Sequence, residues 1–297
     1  MPPRLRAGAR VALVSPSGPL RGNHELEHAM VNAHEMGWEP VIGPNANARD
    51  GYFAGPDAVR LADLLDALTN PDVDGIWCLR GGYGAARLLP ALPLDTIRAH
   101  PKALIGYSDI TALHAAWQHA GLASFHGPTA RATITEFSRQ SFVRTIVDGV
   151  DGAGAMPVAS TLREGRATGR LAGGNLALVA SLCGTSWAID FRGAIVVLED
   201  INEATYRIDR MLTQLRLAGA FDGCAGFLFG QFTYCTTESD DGARSMDSIA
   251  RECADFFGVP AVLGAPFGHV DDQWTLPLGA LATMDAAGCT LELHPLD

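Results

Sequence analysis

No stretch of this chain approaches the roughly 20 consecutive apolar residues that a membrane-spanning helix needs. Near the amino end, basic residues precede an apolar run of only Val11 to Val14, too short for a secretory signal. The expected location is the cytoplasm. Positive charge is scarce as well. Lys and Arg total 22 against 33 Asp and Glu, a net charge of -11. That balance argues against nucleic acid or an anionic membrane as the main partner, though it leaves room for a local basic pocket. The six cysteines (Cys78, Cys183, Cys224, Cys235, Cys253 and Cys289) form no CxxC pair. Most sit in apolar runs, so they read as buried thiols, not as a metal or disulfide set. The nine histidines include no HExxH. His24 and His28 lie one helical turn apart but stand beside Glu25 and Glu27, as on a solvated face. No metal and no cofactor are expected.

What is present is a compact chain with ample core. It has 297 residues, 47% of them hydrophobic and 19% charged, enough for one large domain or two ordinary ones. Short apolar runs alternate with amphipathic stretches through the first half: VALVSP, EPVIG, GIWCLR, KALIGYS and ASFHG read as strands, with helices between them. That rhythm predicts a parallel sheet covered on both faces. Residues 151–169 break it, being rich in Gly, Ala, Ser and Thr, and read as a linker or the start of a second domain. The second half is strand-rich, with GAIVVLED, GFLFGQF and PAVLGAP as strands, a strong amphipathic helix over 205–219 and a pair of strands in the tail. The expected fold is α/β. A Rossmann-like N-terminal domain (1–150) is followed by the linker and a smaller α+β or barrel-like C-terminal domain (170–297).

Ligands of α/β folds bind beyond the carboxyl ends of the strands. Those ends carry SPSGP, RGGYG, GYSD and LED, and the loop GAPFGHVDD carries a lone histidine. Ser108, at the corner between a strand and a helix, fits two readings. It is either a helix cap or a nucleophile. A nucleophile needs a base, an orienting acid and donors for an oxyanion. His269 and Glu199 are candidates for the first two. The backbone amides of Asp109 and of Gly81 or Gly82 are candidates for the third, since glycine lets a backbone approach a substrate closely. GYSD lacks the second glycine of GxSxG. RGGYGAAR is a piece of GxGxxG with Arg87 at the third glycine and no phosphate-loop Lys, which speaks against nucleotide binding. His126 and Asn175 stand beside tight turns, where structural hydrogen bonding competes with a functional role.

The runs VALVSPSGP, PDVDGIWCLRGGYGAARLLP, LIGYSDITALH, HGP, GGNLALV, VVLEDINEATYRIDRMLTQLRLAG and GHVDDQWTLPLG occur in this order over nearly the whole chain. Together they resemble the serine-type LD-carboxypeptidase family, the muramoyltetrapeptide carboxypeptidases, which also includes microcin-immunity hydrolases. The resemblance implies a cytoplasmic homodimer that removes the terminal D-alanine from murein tetrapeptides during peptidoglycan recycling. It implies a Ser-Glu-His triad of Ser108, Glu199 and His269. Glu203 rivals Glu199, but Glu199 sits at the strand end. A substrate ending in a carboxylate calls for a cation, and Arg80 and Arg207 are both candidates. Asn175 is a candidate for holding the peptide backbone. Two other readings stay open: hydrolysis of aminoacyl-nucleotide amides, and a two-domain cleft that binds without cutting.

Overall fold

The computed structural model describes residues 4–236 and 244–295. The first half runs β1 (Arg10–Val14), α1 (Asn23–Glu35), β2 (Glu39–Ile42), α2 (Asp57–Thr69), β3 (Gly75–Cys78), α3 (Leu94–Ala99), β4 (Ala103–Gly106), α4 (Thr111–His119), β5 (Ser124–His126) and α5 (Glu136–Phe142). The second half runs β6 (Gly154–Ala155), β7 (Ser160–Arg163), β8 (Arg166–Asn175), α6 (Leu176–Leu182), β9 (Ala194–Ile201), α7 (Thr205–Leu217), β10 (Gly226–Thr233), α8 (Met246–Phe257), β11 (Ala261–Leu263), β12 (Leu276–Leu278), β13 (Leu281–Asp285) and β14 (Thr290–Leu293). Among the described residues, no helix is long and apolar enough to cross a membrane.

The first sheet has six strands in the order β12-β5-β4-β3-β1-β2. β1 to β5 are parallel. Alternate residues of each strand feed opposite faces, because strand side chains have a period of two. Ile76 and Cys78 pack with Leu64, Leu68, Leu113 and Trp117 on one face. Trp77 and Leu79 pack with Ala29, Trp38 and Phe142 on the other. Both faces are covered, so the strands are continuous apolar runs. Removing one such side chain from water contributes about 1.5–3 kcal/mol.

The second sheet has eight strands in the order β6-β14-β13-β8-β9-β10-β11-β7. β8 to β11 are parallel, and the outer strands are antiparallel. One face packs Val196, Leu198, Phe227 and Phe229 under α6, α7 and α8. The other packs Leu171, Ile195, Val197 and Leu228 with Phe267, Trp274 and Met284.

Two expectations differ from this arrangement. The stretch expected as a linker, 151–169, holds β6, β7 and the start of β8. Met156 and Leu162 are buried in it, and at the start of β8 the buried positions are Ala167 and Gly169, between exposed Arg166, Thr168 and Arg170. Small residues are needed there, since a Cβ on Gly169 would lie 2.3 Å from the Gly193 carbonyl oxygen. In β8 the strand alternation is real but carried by residues of little hydrophobicity. The tail, expected as a strand pair, contains three strands. β12 leaves the second sheet and pairs antiparallel with β5 of the first.

The two sheets dock through the helix that follows Ser108. The Asn175 amide, at the end of β8, donates to Thr111 Oγ1 at the start of α4, at 2.9 Å. A Cβ on Gly174 would lie 2.5 Å from the same oxygen, so glycine is required for this approach. The carboxyl ends of β4 and β9 are thereby held side by side.

Candidate active site

Ser108 lies between β4 and α4 with φ of 66°, in the left-handed region. A residue with a Cβ pays roughly 1–2 kcal/mol there, and such strain persists only where the surroundings enforce it. Two glycines do so. A Cβ on Gly106 would meet Ile110 Cγ1 at 3.0 Å and Cys78 Cβ at 3.2 Å, so Gly106 lets the helix close tightly on its strand. Ile110 therefore fits where GxSxG has its second glycine. A Cβ on Gly81 would lie 3.0 Å from Ser108 Cβ, which puts the RGGYG backbone directly against the serine. The Ser108 hydroxyl makes no capping bond to a helix amide among the described residues. Its partner is His269 Nε2, at 3.2 Å.

His269 stands in the loop after β11. Its Nδ1 lies 2.7 Å from Glu199 Oε2. A carboxylate only accepts, so Nδ1 carries the ring hydrogen and Nε2 is left to accept from the Ser108 hydroxyl. The histidine is fixed from outside this chain of bonds as well. Thr233 Oγ1 donates to its carbonyl at 2.9 Å, and the Tyr107 ring packs 4.8 Å from its own. Glu199, on β9, is fully buried. Its Oε1 has no partner among the described residues. Glu203 lies elsewhere, 3.6 Å from Arg207.

The loops around the serine are braced by side chains that the sequence did not single out. Burial pushes the Asp109 carboxyl up, while hydrogen bonds from Ser17 and the Ala85 amide favour its charge. The Ala85 amide donates to it at 2.8 Å, and the Ser17 hydroxyl donates to the same oxygen. Asp109 thus ties the loops after β1 and β3 to the serine corner. Buried Arg60 donates to the carbonyls of Pro16, Gly55 and Gly84, spanning the loops after β1, β2 and β3. Gly18 N donates to the Gly81 carbonyl at 3.0 Å, and Gly82, at φ of 111°, continues the turn. Only a hydrogen-bond map reveals these roles, because a buried Asp or Arg looks like any surface charge in a sequence.

The remaining candidates separate. The Arg80 guanidinium is half-buried and donates to the Pro19 carbonyl. Arg207 is exposed on α7, against Glu203 and the Tyr206 hydroxyl. Asn175 is committed to the fold. Its Oδ1 accepts from the Leu178 amide at 3.2 Å, and its Nδ2 donates to Asp200 at 2.9 Å. Both polar atoms of the Asn175 side chain therefore already serve the fold, with one Nδ2 hydrogen left to donate. Asp200 is pushed up to about 6 by burial, against hydrogen bonds from Ile201 and Asn175, with Glu199 adding to the rise. His126 is buried behind Tyr107, and burial holds it well below the usual histidine range. Among the described residues, no group of three or more His, Cys, Asp or Glu is placed to hold a metal ion.

A chain Glu199–His269–Ser108 on a strained corner can activate a hydroxyl for attack on a carbonyl. The LD-carboxypeptidase N-terminal domain matches residues 11–127, and the LD-carboxypeptidase C-terminal domain matches residues 168–284. The chain is 34% identical to a probable murein peptide carboxypeptidase of Bacillus subtilis, covering 96% of this chain and 92% of that protein. It is 33% identical to the murein tetrapeptide carboxypeptidase of Pseudomonas aeruginosa, covering 93% of each. Among solved structures, a muramoyltetrapeptide carboxypeptidase from Oxalobacter formigenes superimposes with a TM-score of 0.85 at 29% identity, over 96% of this chain and 98% of that one. A mutant microcin C7 self-immunity protein bound to adenosine monophosphate superimposes with a TM-score of 0.88 over 99% and 98%, but at 23% identity, a likeness of fold. With both domain descriptions matched in order along one chain, the protein belongs to the LD-carboxypeptidase family.

Proposed function

We propose that this protein is a serine-type LD-carboxypeptidase that removes the terminal D-alanine from murein tetrapeptides. The observation that carries the reading is the hydrogen-bonded chain from Glu199 through His269 to Ser108. In the proposed reaction, His269 Nε2 takes the hydroxyl proton as Ser108 Oγ attacks the carbonyl that joins the L-centre of the diamino acid to D-alanine. Buried Glu199 stabilises the resulting imidazolium. The amides of Asp109 and of Gly81 or Gly82 receive the oxyanion. The protonated histidine gives its proton to the departing D-alanine amine. Water then adds to the acyl-enzyme with His269 as base, and Ser108 leaves as the free hydroxyl.

The names of the relatives from Bacillus and Pseudomonas support a murein peptide as substrate. By the same reading the enzyme acts in the cytoplasm, on peptides returned from the wall, as a homodimer. The test is mass spectrometry of L-Ala-γ-D-Glu-meso-diaminopimelate-D-Ala after incubation with the protein and with Ser108→Ala. Loss of one alanine with the wild type alone is expected. An intact peptide would overturn the reading and direct attention to aminoacyl-nucleotide amides, which the same assay can contain.

A further inference from the structure

The loops beyond the first sheet carry an unusual distribution of charge. Ser108 follows β4. Each of the other four parallel strands is followed by a loop with one arginine of a single cluster: Arg21 after β1, Arg49 after β2, Arg80 after β3 and Arg131 after β5. All four converge on one short segment, residues 19–25. Arg80 donates to the Pro19 carbonyl, and Arg49 donates to the Leu20 carbonyl at 2.9 Å. Arg21 belongs to the segment itself. Arg131 pairs with Glu25 at 2.7 Å.

Glu25 is the only carboxylate bonded to this cluster among the described residues, and its acceptors are taken. Oε1 faces Arg131, and Oε2 accepts the Arg21 amide at 2.8 Å. Burial opposes its charge, yet that amide and the guanidiniums of Arg131, Arg80 and Arg21 hold its carboxyl below the usual range. Arg21, Arg49 and Arg80 form no ion pair among the described residues, and Arg131 Nε is buried without an acceptor. Burial and the neighbouring charges of Arg131 and Arg21 push Arg80 below its ordinary value. A protein with a net charge of -11 thus gathers a surplus of cations at one place.

That place adjoins the reacting hydroxyl. Arg80 precedes Gly81, which packs on Ser108, and the Gly18 amide, next to Pro19, donates to the Gly81 carbonyl. The Arg131 charge also acts on the phenol of Tyr107, opposing Glu199 and Asp271 there. Guanidiniums, unlike ammonium groups, meet a carboxylate with two parallel hydrogen bonds, so they select for a planar anion.

We propose that Arg80 and Arg131, backed by Arg21 and Arg49, form a carboxylate-binding subsite that holds an acidic peptide against Ser108. The proposal rests on reading the chain as a stem-peptide carboxypeptidase. Two carboxylate sources share this chemistry: the terminal carboxylate of D-alanine, and the side carboxylates of the stem. Arg207, exposed and paired with Glu203 on α7, has no part in it.

The experiment is calorimetric titration of Ser108→Ala, which can bind without turnover, with four tetrapeptides. These are the parent with diaminopimelate, its D-alaninamide form, the form with side carboxylates amidated, and the form with every carboxylate amidated. Adding Arg131→Gln is expected to weaken binding of the parent roughly tenfold to a hundredfold and to leave the fully amidated peptide unaffected. Whichever singly modified peptide loses its sensitivity to Arg131→Gln identifies the source of the carboxylate. Arg131→Lys should restore part of the affinity. Arg49→Gln, at an exposed position that does not threaten folding, should weaken the parent in the same direction. Equal losses for the parent and the fully amidated peptide would overturn the proposal, as would no loss for either or no binding of the parent. A wild type that leaves the parent uncut while its Ser108→Ala form binds it through Arg131 would refute the carboxypeptidase reading alone.

Discussion

Gly268 presses on Glu199. A Cβ at position 268 would lie 2.8 Å from Glu199 Cβ and 2.9 Å from Oε2, the oxygen that meets His269. The same glycine sits at φ of 109° and immediately precedes the histidine. One position therefore sets the distance between base and orienting acid. Gly268→Ala should push the carboxylate and the imidazole apart while both sheets stay folded. A displacement of this size costs about a hundredfold in turnover. The check is kcat/KM together with a melting curve. Wild-type activity in a folded Gly268→Ala protein would show that the contact is not what positions the pair.

Glu199 and Glu203 are four residues apart and make opposite predictions. Glu199→Gln removes the charge that balances the imidazolium and lets an amide NH2 face Nδ1, favouring the wrong tautomer. A loss of roughly 10³–10⁴ in kcat is expected. Glu203→Gln, at a half-buried position away from His269, removes a 3.6 Å pairing with exposed Arg207. Its kcat should stay within about threefold of the wild type, because a long pairing to an exposed arginine is a weak one and touches neither Ser108 nor His269. Parallel single-turnover assays separate the two, and equal effects would refute the assignment.

Buried histidines make the fold sensitive to acid. Burial brings His114 down to about 4 from the usual 6.5, although a hydrogen bond with the Gly106 carbonyl works against the shift. His126 is lowered too, by burial and by the charges of His114 and His269. Between pH 6.5 and 4 the unfolded chain takes up protons that the folded chain refuses, so stability falls as pH falls through that window. For His114 the loss amounts to at most about 3 kcal/mol. Asp200 acts with opposite sign. Its folded value of about 6 lies above the unfolded one, so it loses stability as pH rises from 4 to 6 and partly masks the histidines. Melting temperatures across pH 4–7 should rise with pH in the wild type. His114→Gln should flatten that slope, and an unchanged slope would count against the buried neutral imidazole.

Much of this was legible because core strands announce themselves. GIWC and ALIG are apolar throughout, and both are fully buried. The serine corner and the histidine loop could be singled out because polar residues at strand ends stand out against such runs. β7 and β8 were hidden for the opposite reason. The buried positions of β8 include Ala167, Gly169, Gly173 and Gly174, chosen for close backbone approach and not for hydrophobicity, and β7 buries a single large side chain, Leu162. β12 was hidden because its partner, β5, lies some 150 residues earlier, and no local pattern encodes that pairing. The same limit applies to the site. Ser108 and His269 were recognisable as types, but Asp109 as a loop brace and the four arginines as one cluster exist only once distant loops meet.

The serine corner itself can be tested for stored strain. Ser108 has φ of 66°, held there by the close packing at Gly106 and Gly81. An alanine at 108 keeps the Cβ and therefore the strain, while a glycine removes it. Both variants lack the hydroxyl, so both should be inactive, and their difference reports the backbone alone. Releasing about 1–2 kcal/mol of left-handed strain, less about 0.4–1 kcal/mol for the freer unfolded chain, leaves Ser108→Gly the more stable by up to about 1.6 kcal/mol. For a chain of this size that is a rise of up to roughly 3 °C in Tm, measurable by calorimetry on the two purified proteins. A Ser108→Ala protein as stable as Ser108→Gly would mean that the surrounding loops relax around the serine. The hydroxyl would then owe its orientation to His269, and not to the strand-to-helix corner.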